Sequence, residues 1–193
     1  MIHSDMIAKI CAAAPVIPVL TVDRVEDAQP LARALIAGGL PALEITLRTD
    51  VALEVITAIT EVEGAMVGVG TLLTPAQVQD AKAAGAIFGV SPGATPSLIA
   101  AGLEFDLPLL PGAATATEAM HLLEQGFTFQ KFFPAEAAGG ALALGSMAGP
   151  LPQITFCPTG GVTPENAKSY LALPNTLCVG GSWIAPKALV AAG

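Results

Sequence analysis

Short runs of apolar and β-branched residues recur along the chain, bounded by Pro, Gly or Thr and followed by Ala- and Leu-rich segments with helical spacing. The runs are VIPVLTV (16–22), ALEITLRT (42–49), AMVGVGTLL (65–73), AIFGVSPG (86–93), LPLLPGA (107–113), FTFQKFFPA (127–135), QITFCPTGG (153–161) and TLCVGGSWI (176–184). A repeat of roughly 20 to 25 residues is that of βα units. The intervening segments carry helix signals. Thr74 stands at an N-cap before Pro75, Gly85 sits where such a helix would end, and Thr163-Pro164 repeats the opening.

Strands alternating with helices pair in parallel, and eight of them favour a (β/α)8 TIM barrel over an open sheet. The expectation is one domain over residues 1–193, compact because such barrels usually need roughly 200 to 250 residues. MIHSDMIAKICAAAP at the start places an acid and a lysine inside an apolar pattern, so it predicts a short amphipathic helix and not a signal peptide. APKALVAAG at the other end predicts a truncated last helix.

A barrel strand shows alternate residues to the helices and to the interior. In ALEITLRT the apolar set Leu43, Ile45 and Leu47 takes the helix side, which turns Glu44, Thr46 and Arg48 inward. In FTFQKFFPA, Lys131 shares its parity with Phe129 and Phe133. A strand lysine is more often an exposed edge residue, by about three to one, but a closed barrel has no edge. Lys9, Lys82, Lys168 and Lys187 all fall in predicted helices, where a solvated head group explains them. Glu44 and Arg48 alone would fit an interior salt bridge equally well. Together with Lys131, and near the strand ends where barrel active sites sit, they favour chemistry. An amine can form an imine with a ketone, a carboxylate can move the protons, and a guanidinium matches a substrate carboxylate.

Composition narrows the options. A net charge of −8 with 12% charged residues leaves no footprint for nucleic acid or an anionic membrane. No apolar run approaches the roughly 20 residues that span a bilayer. Cys11, Cys157 and Cys178 are odd in number and far apart, which fits buried thiols in a reducing cytoplasm; His3 and His121 lack metal-ligand neighbours at i+3 or i+4. A metal or other cofactor is not expected. An acidic chain must hold any anion locally, and Gly160, Gly161, Gly180, Gly181 and Ser182, after the seventh and eighth runs, stand where barrels bind phosphate with backbone amides. Hydrophobic residues make up 53% of the chain and the mean hydropathy is +0.66, so apolar surface should remain for self-association.

LEITLRT, VGVGTLL, SPG, KFFPAE, CPTGG and GGSW occur in the order and spacing of a known family. From about Pro15 to Trp183 the chain resembles the 2-keto-3-deoxy-6-phosphogluconate (KDPG) aldolases, which overlap with the 4-hydroxy-2-oxoglutarate (KHG) aldolases. The resemblance implies a trimeric, metal-free class I aldolase that cleaves the phosphorylated 2-oxo acid to pyruvate and glyceraldehyde 3-phosphate in the Entner–Doudoroff pathway. It assigns Lys131 to the Schiff base and Glu44 to general acid–base work. Arg48, Thr71 and Thr159 would hold the pyruvate portion beside Phe133, and Gly160, Gly161 and Ser182 the phosphate. Two alternatives stay open: a phosphate-binding barrel isomerase or synthase, and a non-catalytic or engineered assembly scaffold on the same barrel.

Overall fold

The computed structural model describes residues 2–190, without the side chains of Ile2, His3, Lys187 and Leu189. The expectations for His3 and for the end of the last helix, residues 191–193, lie outside that range. Nine strands run through the described chain: β1 (Val16–Leu20), β2 (Ala42–Thr46), β3 (Met66–Gly70), β4 (Phe88–Val90), β5 (Leu109–Leu110), β6 (Gly112–Ala113), β7 (Phe129–Phe132), β8 (Thr155–Pro158) and β9 (Val179–Gly181). Each predicted run holds a strand, and the fifth holds two. Pro111 separates them because it has no N–H for the ladder; its carbonyl accepts from the Lys131 amide at 2.9 Å.

All pairings are parallel. They form a six-stranded arc in the order β5-β4-β3-β2-β1-β9 and a three-stranded arc β6-β7-β8. The chain joins the arcs at Pro111, and an isolated bridge between Thr159 and Gly180 joins them on the other side. With β5 and β6 counted as one interrupted strand, the architecture is a (β/α)8-like barrel. The outer helices are α2 (Ala28–Ala37), α3 (Ala52–Thr60), α4 (Pro75–Ala83), α5 (Pro96–Glu104), α6 (Ala116–Glu124), α7 (Gly140–Ser146), α8 (Ala167–Leu171) and α9 (Lys187–Val190); α1 (Ile2–Ala12) precedes the barrel.

The period-two pattern sorts residues as expected. Leu43 and Ile45 of β2 pack with Val55, Ile56 and Ile59 of α3 in the outer core. Phe132 of β7 packs with Leu122 of α6 and meets Phe156 edge to face at 6.3 Å. Residues of the other parity meet inside the barrel, where Ile17, Ala42, Phe88, Val90 and Leu110 form a third apolar cluster with Ile7, Ile10 and Cys11 of α1. Helix α1 thus presents its apolar face to the barrel interior. Cys157 and Cys178 lie in the same cluster, and all three thiols are free and buried. Gly68 makes room for this layer, since a Cβ there would come within 2.4 Å of the Phe88 ring.

Thr74 caps α4 through a reciprocal capping box with Gln77, Pro75 follows at its start, and Gly85 just beyond its end has φ +96°. The second Thr-Pro opening repeats this reciprocal cap. Asn166 Oδ1 accepts from the Thr163 amide at 2.7 Å and the Asn166 amide donates back to Thr163 Oγ1 at 3.4 Å. The Ala167 amide then bonds the Thr163 carbonyl at 2.9 Å, and the regular helix runs over Ala167–Leu171.

Candidate active site

Lys131 and Glu44 reach the barrel interior from different arcs. Their neighbours fix the directions: Gln130, on the opposite face of β7, donates to the Ala119 carbonyl of α6 at 3.0 Å, so Lys131 must face inward. Glu44 follows the same logic between Leu43 and Ile45. The two residues are 5% and 3% exposed, and Lys131 Nζ stands 3.6 Å from Glu44 Oε1. That separation is attractive but too long for a good hydrogen bond. A buried pair without compensating hydrogen bonds adds little to stability, because desolvation offsets the Coulomb gain. Its retention in an otherwise apolar interior points to chemistry.

Gly70 gives Glu44 its place. A Cβ on Gly70 would lie 2.2 Å from Glu44 Oε1, so only glycine on β3 lets the carboxylate lie flat against the neighbouring strand. Phe133, just beyond β7, presents its ring 5.1 Å from Lys131 Nζ, within cation–π range. Beyond it opens a cleft of about 290 Å³ whose lining includes Pro92, Gly112, His121 and Phe133.

Three further candidates stand at strand ends around the pair. Arg48, expected to face inward, is instead exposed in the turn after β2, because the strand and its alternation end at Thr46. Thr71 follows β3 with φ +64°, a left-handed conformation that a β-branched residue rarely adopts and that costs of order 1–3 kcal/mol. Thr159, 7% exposed, follows β8, and its hydroxyl lies over Gly180, where a Cβ would come within 2.3 Å.

The glycines divide into two kinds. Gly160 and Gly161 form a turn after β8 with φ +97° and +78°. The Gly160 carbonyl accepts from the Glu136 amide at 3.0 Å and the Gly161 carbonyl from Asn166 Nδ2 at 3.0 Å. A peptide unit is planar and trans, so each held carbonyl points the following N–H the opposite way. The amides of Gly161 and Val162 are oriented in this manner, and neither donates to a backbone acceptor among the described residues. Gly180 and Gly181, expected in a loop, instead lie inside β9 in register with Ile17 and Pro18. They serve close packing, Gly180 under Thr159 and Gly181 under the Trp183 ring. Ser182 is exposed immediately after β9.

Gly70, Glu136, Asn166 and Tyr170 were absent from the sequence candidates. VGVGTLL and KFFPAE contain two of them, but their contacts cross between strands and loops that no local pattern connects.

A profile of the KDPG and KHG aldolases matches residues 7–193. The 2-dehydro-3-deoxy-phosphogluconate aldolase of Pseudoalteromonas atlantica is 51% identical over 180 residues, covering 93% of this chain and 84% of that protein. The crystal structure of the Zymomonas mobilis 2-keto-3-deoxy-6-phosphogluconate aldolase with 3-phosphoglycerate superposes with a TM-score of 0.93 at 47% identity, covering 98% and 93% of the two chains. The Legionella pneumophila KDPG aldolase, with pyruvate captured as a covalent carbinolamine, gives 0.91 at 48% identity over 95% and 89%.

Proposed function

The chain belongs to the KDPG and KHG aldolase family, and we propose that it is a class I aldolase whose Schiff base forms on Lys131. It is a pyruvate-dependent carbon–carbon lyase that cleaves 2-dehydro-3-deoxy-6-phosphogluconate to pyruvate and glyceraldehyde 3-phosphate, the aldol step of the Entner–Doudoroff route. KHG, which would yield pyruvate and glyoxylate, is its second substrate. The observation that carries the assignment is the buried Lys131–Glu44 pair at 3.6 Å, an amine and a proton carrier facing one space.

The neutral Lys131 amine attacks C2 of the 2-oxo acid. Glu44 protonates the departing hydroxyl of the carbinolamine, and water leaves to give the iminium. Glu44, now a carboxylate, takes the proton of the C4 hydroxyl; the C3–C4 bond breaks, its electron pair flows into the iminium, and the aldehyde departs. Protonation of the enamine at C3 and hydrolysis return pyruvate and the free amine. Arg48 and the Thr71 and Thr159 hydroxyls hold the pyruvate carboxylate end, Phe133 walls the site, and the Gly160–Gly161 turn with Ser182 receives the phosphate. A phosphate-binding isomerase would need the glycine turn but has no use for a buried amine facing a carboxylate. A scaffold without activity would have no reason to bury that pair.

Borohydride reduction in the presence of pyruvate should add one reduced pyruvyl group on the peptide that contains Lys131, read by mass spectrometry. Labelling that persists in Lys131→Ala would remove the assignment.

We also infer a homotrimer, supported by large exposed apolar residues such as Leu142 at 85% and Leu103 at 63% exposure. A stable monomer at micromolar concentration in light scattering would count against it. Among the described residues no helix is long and apolar enough to cross a membrane. Three free cysteines support a reducing cytoplasm as the location.

A further inference from the structure

Resting on the assignment of phosphate to the Gly160–Gly161 turn, we propose that the Glu136–Tyr170 pair is a positioning device that sets the preference for phosphorylated over unphosphorylated substrate. Glu136 lies in the loop leaving β7, five positions after Lys131. Two backbone bonds stitch this loop to the glycine turn, Ala135 N–H to the Thr159 carbonyl at 2.8 Å and Glu136 N–H to the Gly160 carbonyl at 3.0 Å. The β and γ carbons of Glu136 fill the space beside Gly161, each 2.7 Å from where a Cβ there would sit. The carboxylate accepts a hydrogen bond from the Tyr170 hydroxyl. Tyr170 is fully buried in α8, the helix that follows the turn. Burial and the nearby carboxylate push its ionisation upward, so the phenol remains a donor.

Two consequences follow from this geometry. The pair ties the turn to both the Schiff-base loop and α8, which holds Glu136 against the Gly160 carbonyl and so sets the direction of the Gly161 amide. It also draws a carboxylate away from those amides. Glu136 is exposed and its backbone touches the turn; released from Tyr170, its charge can swing over the amides and compete with a phosphate for them. Tyr170 therefore keeps the cradle vacant for the substrate's own anion.

The experiment compares KDPG and KHG cleavage in wild type, Tyr170→Phe, Glu136→Ala, the double variant Tyr170→Phe/Glu136→Gln, and Gly161→Val as a control that closes the turn. Tyr170→Phe keeps the buried ring. It should raise KM for KDPG about tenfold, the scale of one hydrogen bond to a charged group, with kcat for KDPG and both constants for KHG within about twofold. Inorganic phosphate should weaken as a competitive inhibitor by the same factor. Removing the freed charge in the double variant should restore part of the loss, which a purely structural defect would not allow. Glu136→Ala, which removes the acceptor of the Tyr170 hydroxyl, should also raise KM for KDPG selectively, with unchanged KHG cleavage showing that the fold survives. If Gly161→Val is selective for KDPG while Tyr170→Phe and Glu136→Ala lose nothing or lose equally on both substrates, the positioning role is overturned and the phosphate site stands. If Gly161→Val itself fails to discriminate, the phosphate site falls, and the positioning role with it.

Discussion

Replacing Gly70 by alanine perturbs catalysis without touching a catalytic residue. The new methyl carbon would lie 2.2 Å from Glu44 Oε1, 2.7 Å from its Cγ and 2.8 Å from its Cδ. Carbon and oxygen rest about 3.3 Å apart in close contacts, so the carboxyl oxygen must retreat by about 1 Å. The strand itself accepts alanine, because Gly70 does not have a left-handed φ. Overpacking costs about 1–3 kcal/mol, and the lower backbone entropy of the unfolded alanine chain returns about 0.5–1 kcal/mol. The fold should therefore survive. A 1 Å displacement of a proton carrier is worth about 10²-fold in rate. Gly70→Ala should lower kcat for KDPG by about that factor, measured with a coupled pyruvate assay, while borohydride with pyruvate still labels Lys131. Glu44→Gln should lower turnover by about 10² to 10⁴-fold. Combining the two should add little to Glu44→Gln alone, since both act through one group. A Gly70→Ala enzyme with kcat within threefold of wild type would refute the placement of Glu44 as the proton carrier.

Arg48→Ala should raise KM for pyruvate-bearing substrates by about tenfold or more, and because Arg48 is exposed its melting temperature should match wild type. Thr71→Gly should lose affinity for substrate yet be no less stable in calorimetry, because relief of the φ +64° strain offsets the roughly 1 kcal/mol that glycine usually costs; a full 1 kcal/mol loss would deny the strain. Cys11, Cys157 and Cys178 should resist alkylation in the native enzyme and react fully once it is denatured, as read by mass shift. Hydrogen bonds that the Cys178 thiol donates toward Cys11 and Cys157, with burial, keep it protonated well above its ordinary value of 9.0. The unfolded chain releases that proton first, so the stability this contributes is complete below about pH 9 and falls as pH rises beyond it; Cys178→Ala should flatten the decline in denaturant midpoints.

The parity of β2 could be read directly from the sequence, because a strand shows its faces with period two and Leu43 and Ile45 fix which face meets the helices. Glu44 followed from that alone, whereas β7 carries phenylalanine on both faces and Lys131 needed the further argument that a closed barrel has no edge. The cap at Thr74 was equally legible, since its partner Gln77 lies three residues away. Features set by contacts between distant segments were hidden. Gly70 needs the register of β3 against β2, Glu136 needs the packing of α8, and Gly180 resembled a loop residue although it serves a strand beneath Thr159. Thr163-Pro164 was legible in the same way as Thr74, since Asn166, three residues on, returns the cap.

The break at Pro111 puts the nucleophile and the proton carrier in separate ladders. Glu44 belongs to the arc built from β5 back to β9, and Lys131 to the arc of β6, β7 and β8. Neither ladder by itself brings an amine to a carboxylate, so local structure in one of them gives no reactive site. The 3.6 Å approach exists only after the arcs dock. Reductive capture of pyruvate on Lys131 thus reports more than an intact lysine: it reports that the two halves of the barrel stand against each other.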